Sequence, residues 1–164
     1  MVELGFFQDE RVELLYGTVV RISPHGTRHD ATVQRLTEMF VLALHGRAAI
    51  RIQSAFAASD GSEPEPDVAV VPRGDHDAAH PSAAWLIVEV ADSSLMKDRA
   101  VKGKLYAESG VLEYWIVNLA DGLVEVHTEI VGGTYTRVTP HRKGESISLR
   151  QFPDVLIPVA GVLR

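Results

Sequence analysis

Cysteine is missing from all 164 residues, which excludes disulfides, thiolate metal ligands and redox chemistry through sulfur. Long apolar runs are missing too. No stretch reaches the roughly 20 residues a bilayer span needs, and the opening Met-Val-Glu-Leu-Gly-Phe-Phe-Gln-Asp-Glu has neither a basic start nor an extended apolar centre. The expectation is a cytoplasmic chain with no membrane attachment. Basic charge is in short supply, since 16 Lys and Arg face 22 Asp and Glu and leave a net charge of −6. That balance argues against a protein that coats nucleic acid indiscriminately, because phosphate neutralisation needs clustered cations. It leaves room for an enzyme whose site requires acids. No repeat, linker or low-complexity run divides the chain, so a single domain over 1–164 is expected.

What is present centres on residues 66 to 106. Pro66-Asp67-Val68-Ala69-Val70-Val71 and Ala84-Trp85-Leu86-Ile87-Val88-Glu89-Val90-Ala91 both read as strands. With period two, Asp67, Ala69 and Val71 share one face of the first, and Trp85, Ile87, Glu89 and Ala91 share one face of the second. Both faces of the second run are apolar apart from Glu89, the pattern of a central strand covered on two sides. A carboxylate there is costly unless it is paired or holds a cation. If the two strands pair, Asp67 and Glu89 converge on one divalent ion of the oxygen-loving kind, Mg²⁺ or Mn²⁺. Pro64 and Pro66 force extended backbone just ahead of Asp67 and fix where its carboxylate enters.

A helix follows. At about 100° per residue, Asp98, Val101, Lys102, Leu105, Tyr106 and Ser109 fall on one side and Lys104 on the opposite one. Lys97, Arg99, Lys102 and Lys104 form the densest basic cluster, with Lys97, Arg99 and Lys104 read as a solvated face. Upstream, residues 11 to 22 alternate around Tyr16-Gly17-Thr18 as a hairpin that carries Glu13 on its first strand. Glu13 alone carries little signal, and an exposed strand acid and a further acid beside the metal site both stay open for it. Val33, Leu36, Phe40, Val41 and Leu44 mark a helix from Arg28 to His45, with His29 one turn ahead of Val33 and so on the packed side; an isolated histidine near a helix end reads first as structural or capping. Arg51 to Ser59 reads as a strand closed by a turn in which Glu65 is a loop charge. His76 and His80 lie in a Gly- and Pro-bracketed surface loop and not a zinc site. Downstream, Glu113–Leu119, Val124–Ile130 and Tyr135–Val138 are strands joined at Asp121-Gly122 and Gly132-Gly133, Trp115 is core, and the tail from Ile147 to Ile157 is an irregular closing segment.

Taken in order, Glu13-Leu14-Leu15-Tyr16-Gly17, His29, Pro66-Asp67-Val68-Ala69-Val70-Val71, Val88-Glu89-Val90-Ala91-Asp92-Ser93-Ser94, Asp98-Arg99-Ala100-Val101-Lys102, Leu105-Tyr106-Ala107 and Gly110-Val111-Leu112-Glu113-Tyr114-Trp115-Ile116-Val117 resemble the PD-(D/E)XK nuclease superfamily. More closely, they resemble its Uma-two family of bacterial restriction-endonuclease-like proteins. The resemblance spans nearly the whole chain. It departs from the superfamily pattern at Ala91, where the lysine would fall, and the matching residue of the Uma-two pattern is Lys102. The resemblance implies an α/β fold, a restriction-endonuclease-like mixed β-sheet flanked by helices with N-terminal and C-terminal β-hairpins. It implies a Mg²⁺- or Mn²⁺-dependent endonuclease acting on DNA, with Asp67 and Glu89 on the metal, Lys102 as the catalytic cation, and Glu13, His29 and Tyr106 in support. A homodimer is expected because small nucleases often need two copies to cut both strands. The rival reading is a binding or regulatory module that keeps the fold without cleavage, suggested by the acidic charge and by the lack of any appended DNA-reading domain.

Overall fold

The computed structural model describes residues 11–164. Strands β1 (Val12–Leu15) and β2 (Thr18–Arg21) form the N-terminal hairpin. Its two-residue turn places Tyr16 at φ 49° and Gly17 at φ 76°, the paired left-handed conformations that match strand twist in a tight hairpin. Helix α1 runs over Thr27–Leu44 and buries His29, Val33, Leu36, Phe40 and Leu44, the side set by the three-and-four spacing. Val41, read as part of that stripe, is 52% exposed. It lies directly after Phe40, and a step of about 100° carries it off the packed face.

Six strands form the main sheet in the order β3-β4-β5-β6-β7-β8, comprising β3 (Ala49–Ile52), β4 (Val68–Val71), β5 (Leu86–Ala91), β6 (Tyr114–Asn118), β7 (Leu123–Val131) and β8 (Thr134–His141). Only β5 and β6 run parallel; the other neighbours are antiparallel. The parallel pair needs a crossover. That crossover is the helical stretch made of α2 (Leu95–Lys97), a π-helical turn over Asp98–Lys102 and α3 (Gly103–Glu108).

The two faces of the sheet are covered differently. On one, Val68, Val70, Leu86, Val88 and Val90 meet α1 and the C-terminal segment. On the other, Ala69, Val71, Ile87, Ala91 and Ile116 pack with Phe56, Tyr106 and Tyr114. Trp115 is fully buried, as read. Burial on both sides explains the near-continuous apolar composition of β4 and β5. It also explains the expense of the acids beside them. Among the described residues no helix is long and apolar enough to cross a membrane.

Four expectations are corrected. The strand read over Arg51–Ser59 ends at Ile52, because Gln53 takes a left-handed conformation at φ 45° and breaks the ladder. Trp85 does not join the Ile87–Glu89 face. It lies just ahead of β5, where the two-residue alternation no longer applies, and packs edge-on to Phe152 with centroids 5.2 Å apart. Val101 is 36% exposed, since a π turn advances less per residue than an α turn and rotates it off the inward side. The tail is ordered, with β9 (Ser146–Ser148) pairing antiparallel to β10 (Leu156–Pro158) ahead of the short helix α4 (Val159–Val162).

Candidate active site

The register Val68↔Val88, continued by one residue, sets Asp67 across from Glu89 at the mouth of β4 and β5. Both acids are buried, at 6% and 4% exposure. Asp67 Oδ2 accepts the Val90 N–H at 2.8 Å and lies 3.0 Å from His29 Nε2. Among the described residues its Oδ1 meets only the Gln53 amide, at 3.4 Å, and is the less committed oxygen. Glu89 Oε1 accepts from Lys102 Nζ at 3.0 Å and from the Tyr106 hydroxyl at 2.7 Å.

Lys102 arrives from the crossover. The π turn puts Asp98 and Lys102 on its inward side, and Tyr106 follows one turn later. The Asp98 carbonyl accepts both the Gly103 N–H and the Tyr114 hydroxyl, the latter at 3.1 Å. A Cβ at Gly103 would come within 3.3 Å of that backbone carbonyl, a tight approach that favours glycine at the turn's end. Lys104 points outward and pairs with Glu108 at 3.7 Å.

Glu13 is a third acid of the group. It is 2% exposed, and its two oxygens lie 2.9 Å from Lys97 Nζ and 3.2 Å from Lys102 Nζ. The exposed-strand reading of Glu13 therefore fails, and Lys97, read as a solvated residue, ties the hairpin to the crossover. Arg99 and Lys104 stay at the surface, Arg99 on Glu125 and Lys104 on Glu108. Glu13, His29, Asp67, Glu89, Lys97, Asp98 and Lys102 line a cleft of ≈ 420 Å³ between the hairpin, the α1 N-terminus and the crossover.

The electrostatics follow from burial set against partners. Burial pushes Glu89 up to about 8, with the Asp67 and Asp98 charges adding to the effect and Lys102 opposing it. Burial likewise raises Asp98. Burial would also raise Glu13 and Asp67, but Lys102 and Lys97 hold Glu13 below its ordinary value, and His29 with the Val90 N–H does so for Asp67. Burial would lower Lys102, but Glu89, Glu13 and Asp98 outweigh it and raise its pKa. His29 is raised by Asp67 against the opposing effect of burial.

Four buried acids (Glu13, Asp67, Glu89 and Asp98) thus face Lys102, the half-exposed Lys97 and His29. Asp98 Oδ1 is buried with no hydrogen-bond partner among the described residues. An orphaned carboxylate oxygen beside an acid already raised by its neighbours is a donor set that fits one further hard cation.

Of the six residues singled out from the sequence, Glu13, His29, Asp67, Glu89 and Lys102 line this cleft, and Tyr106 lies behind it on Glu89. Sequence reasoning assigned no role to Asp98, His25 or Gln53. His25-Gly-Thr-Arg-His29 has the spacing of paired ligands at a helix start and could have flagged His25. Gln53 carries no such signal, because its position depends on the left-handed kink that ends β3.

The sequence matches a family profile, Uma2, described as "Putative restriction endonuclease", over residues 2–160. No curated protein matches it. Among solved structures, the fold is similar to that of a protein from Anabaena variabilis described as "a putative nuclease belonging to DUF820". The TM-score is 0.72 at 10% identity, covering 95% of this chain and 91% of that one.

Proposed function

Because the chain belongs to the Uma2 family of restriction-endonuclease-like proteins, we propose that it is a divalent-metal-dependent endonuclease that hydrolyses DNA phosphodiester bonds in this cleft. The observation that carries the reading is the meeting of Asp67, Glu89 and Lys102, with an excess of buried carboxylate around one buried ammonium. Asp67 and Glu89 would hold Mg²⁺ or Mn²⁺. When bound, the ion supplies Lewis-acid polarisation of the scissile phosphate and lowers the pKa of attacking water.

The chain's own residues do the rest. Lys102, anchored between Glu89 and Glu13, presents a fixed positive charge where negative charge develops on the phosphate. Tyr106 fixes the Glu89 carboxylate from behind. His29 and the Val90 N–H both occupy Asp67 Oδ2, which leaves Oδ1 for the ion. Lys97 and Arg11 line the cleft and ease the approach of a polyanion to an acidic protein. Cleavage of both strands by a chain of this size calls for two copies, so a homodimer acting in the cytoplasm is part of the proposal.

The test is cleavage of plasmid, linear and single-stranded DNA with Mg²⁺ or Mn²⁺ by wild type, Asp67→Asn and Lys102→Ala. Each substitution should cost roughly 10²- to 10³-fold in rate, the scale for removing one preorganised electrostatic group. Equal rates in all three proteins would refute the assignment. An inactive wild type whose Tm still rises with Mn²⁺ would favour the non-cleaving module.

A further inference from the structure

The rim of the cleft carries ligand atoms that the phosphodiester chemistry above leaves unused. One nitrogen each of His25 and His29 and one oxygen of Asp30 lie within 4.8 Å of one another. His29 Nδ1 is 3.3 Å and His25 Nδ1 3.7 Å from the same Asp30 oxygen. In a tetrahedral zinc shell with metal–ligand distances of about 2.0–2.2 Å, adjacent ligand atoms stand roughly 3.3–3.6 Å apart. Both nitrogens already stand close to that spacing from the Asp30 oxygen.

The hydrogen bonds around it select the right nitrogens. Asp67 Oδ2, an acceptor 3.0 Å from His29 Nε2, holds a ring proton on that side, so Nδ1, 3.3 Å from the Asp30 oxygen, is the nitrogen that would exchange its proton for a metal. A carboxylate behind a histidine in this way orients metal-binding imidazoles generally. The Gln53 amide donates to His25 Nδ1 at 3.0 Å, so this nitrogen carries a lone pair, and Gln53 is the group an ion would displace. A metal would stand between the two ring nitrogens and the Asp30 oxygen, in place of the His29–Asp30 contact. The site lies at the N-terminus of α1, whose dipole disfavours a cation, and the Asp30 carboxylate in the first turn offsets that.

We propose that His25, His29 and Asp30 form a site for a transition-metal dication of the Zn²⁺ class, distinct from the Asp67–Glu89 pair and joined to it through His29. Three protein ligands leave one coordination position, available to water or to a phosphate oxygen in the cleft that His25 and His29 line. An ion there would also fix the tautomer of the histidine that orients Asp67.

The experiment is a Co²⁺ titration of the full chain, without DNA, in saturating Mg²⁺, followed by visible absorption. Wild type should take up one equivalent with the intense bands of a nitrogen-ligated tetrahedral ion. His25→Ala and Asp30→Asn should each weaken uptake at least about tenfold while the Mg²⁺-dependent rise in Tm is retained. Asp30 is 61% exposed at its side chain, so that variant keeps the test open even if His25→Ala misfolds. No uptake by wild type, uptake indifferent to both substitutions, or complete displacement by Mg²⁺ would each overturn the proposal. Because the readout is metal uptake, a protein unable to cut DNA leaves the result equally decisive.

Discussion

Replacing Lys102 by methionine removes the ammonium and keeps most of the side-chain volume. In the parent, Nζ lies 3.0 Å from Glu89 and 3.2 Å from Glu13, with a side chain only 6% exposed. Glu13 retains Lys97 at 2.9 Å; Glu89 keeps the Tyr106 hydroxyl but loses its cation. Breaking a buried pair by deleting one partner costs about 3–5 kcal/mol. The retained Lys97–Glu13 contact points to the lower end, about 3 kcal/mol, which corresponds to roughly 6–12 °C in Tm for a chain of this size. The loss should grow with pH, since a protonated Glu89 needs the lysine less. Adding Glu89→Gln removes the stranded charge and should restore about 2 kcal/mol, within the range of coupling between contacting residues. Urea denaturation of the four proteins in EDTA at pH 6 and pH 9 measures the cycle, provided the m-value stays constant. A cost under about 1 kcal/mol at pH 9, with nothing regained in the double variant, would refute the reasoning.

Two further outcomes follow from the same group. Glu89 holds its proton up to about 8 in the folded chain, against an ordinary 4.5. The stability this contributes is complete below about 4.5 and is lost as pH rises through about 8; pH-dependent urea melts in EDTA should show the decline, and Glu89→Gln should flatten it. Tyr106→Phe deletes the 2.7 Å bond to Glu89 and should cost about 1.5–3 kcal/mol at pH 9, where Glu89 is ionised, the scale for a hydrogen bond to a charged group; in cleavage assays kcat should fall while the Kd for DNA stays put.

The centre of the fold was legible because its physics is local. Asp67 and Glu89 stand out in runs otherwise apolar on both faces, and inward-facing Lys102 and Tyr106 follow from helical spacing that survives the irregular turn. Failures came where a period was carried past its element. Val101 lies inside a turn that is not α-helical, and Trp85 lies just outside β5. Glu13 was left open because an acid on a lone strand carries little information. Only docking of the hairpin, through Leu14 and Glu63 backbone bonds of 3.2 and 2.7 Å, shows it buried against two lysines. His25 and Gln53 meet across 28 positions in sequence, a pairing that no local pattern encodes.

The widened turn over Asp98–Lys102 has a bearing on how such a chain can drift over generations. Swapping side chains along its outer rim, at Arg99, Ala100 or Val101, leaves the inward pair where it is. Gaining or losing a single amino acid there would swing the lysine out of phase with Asp98 at the start of the turn. Between Asp98 and Lys102, lineages can rewrite the outward-facing letters but must keep their number.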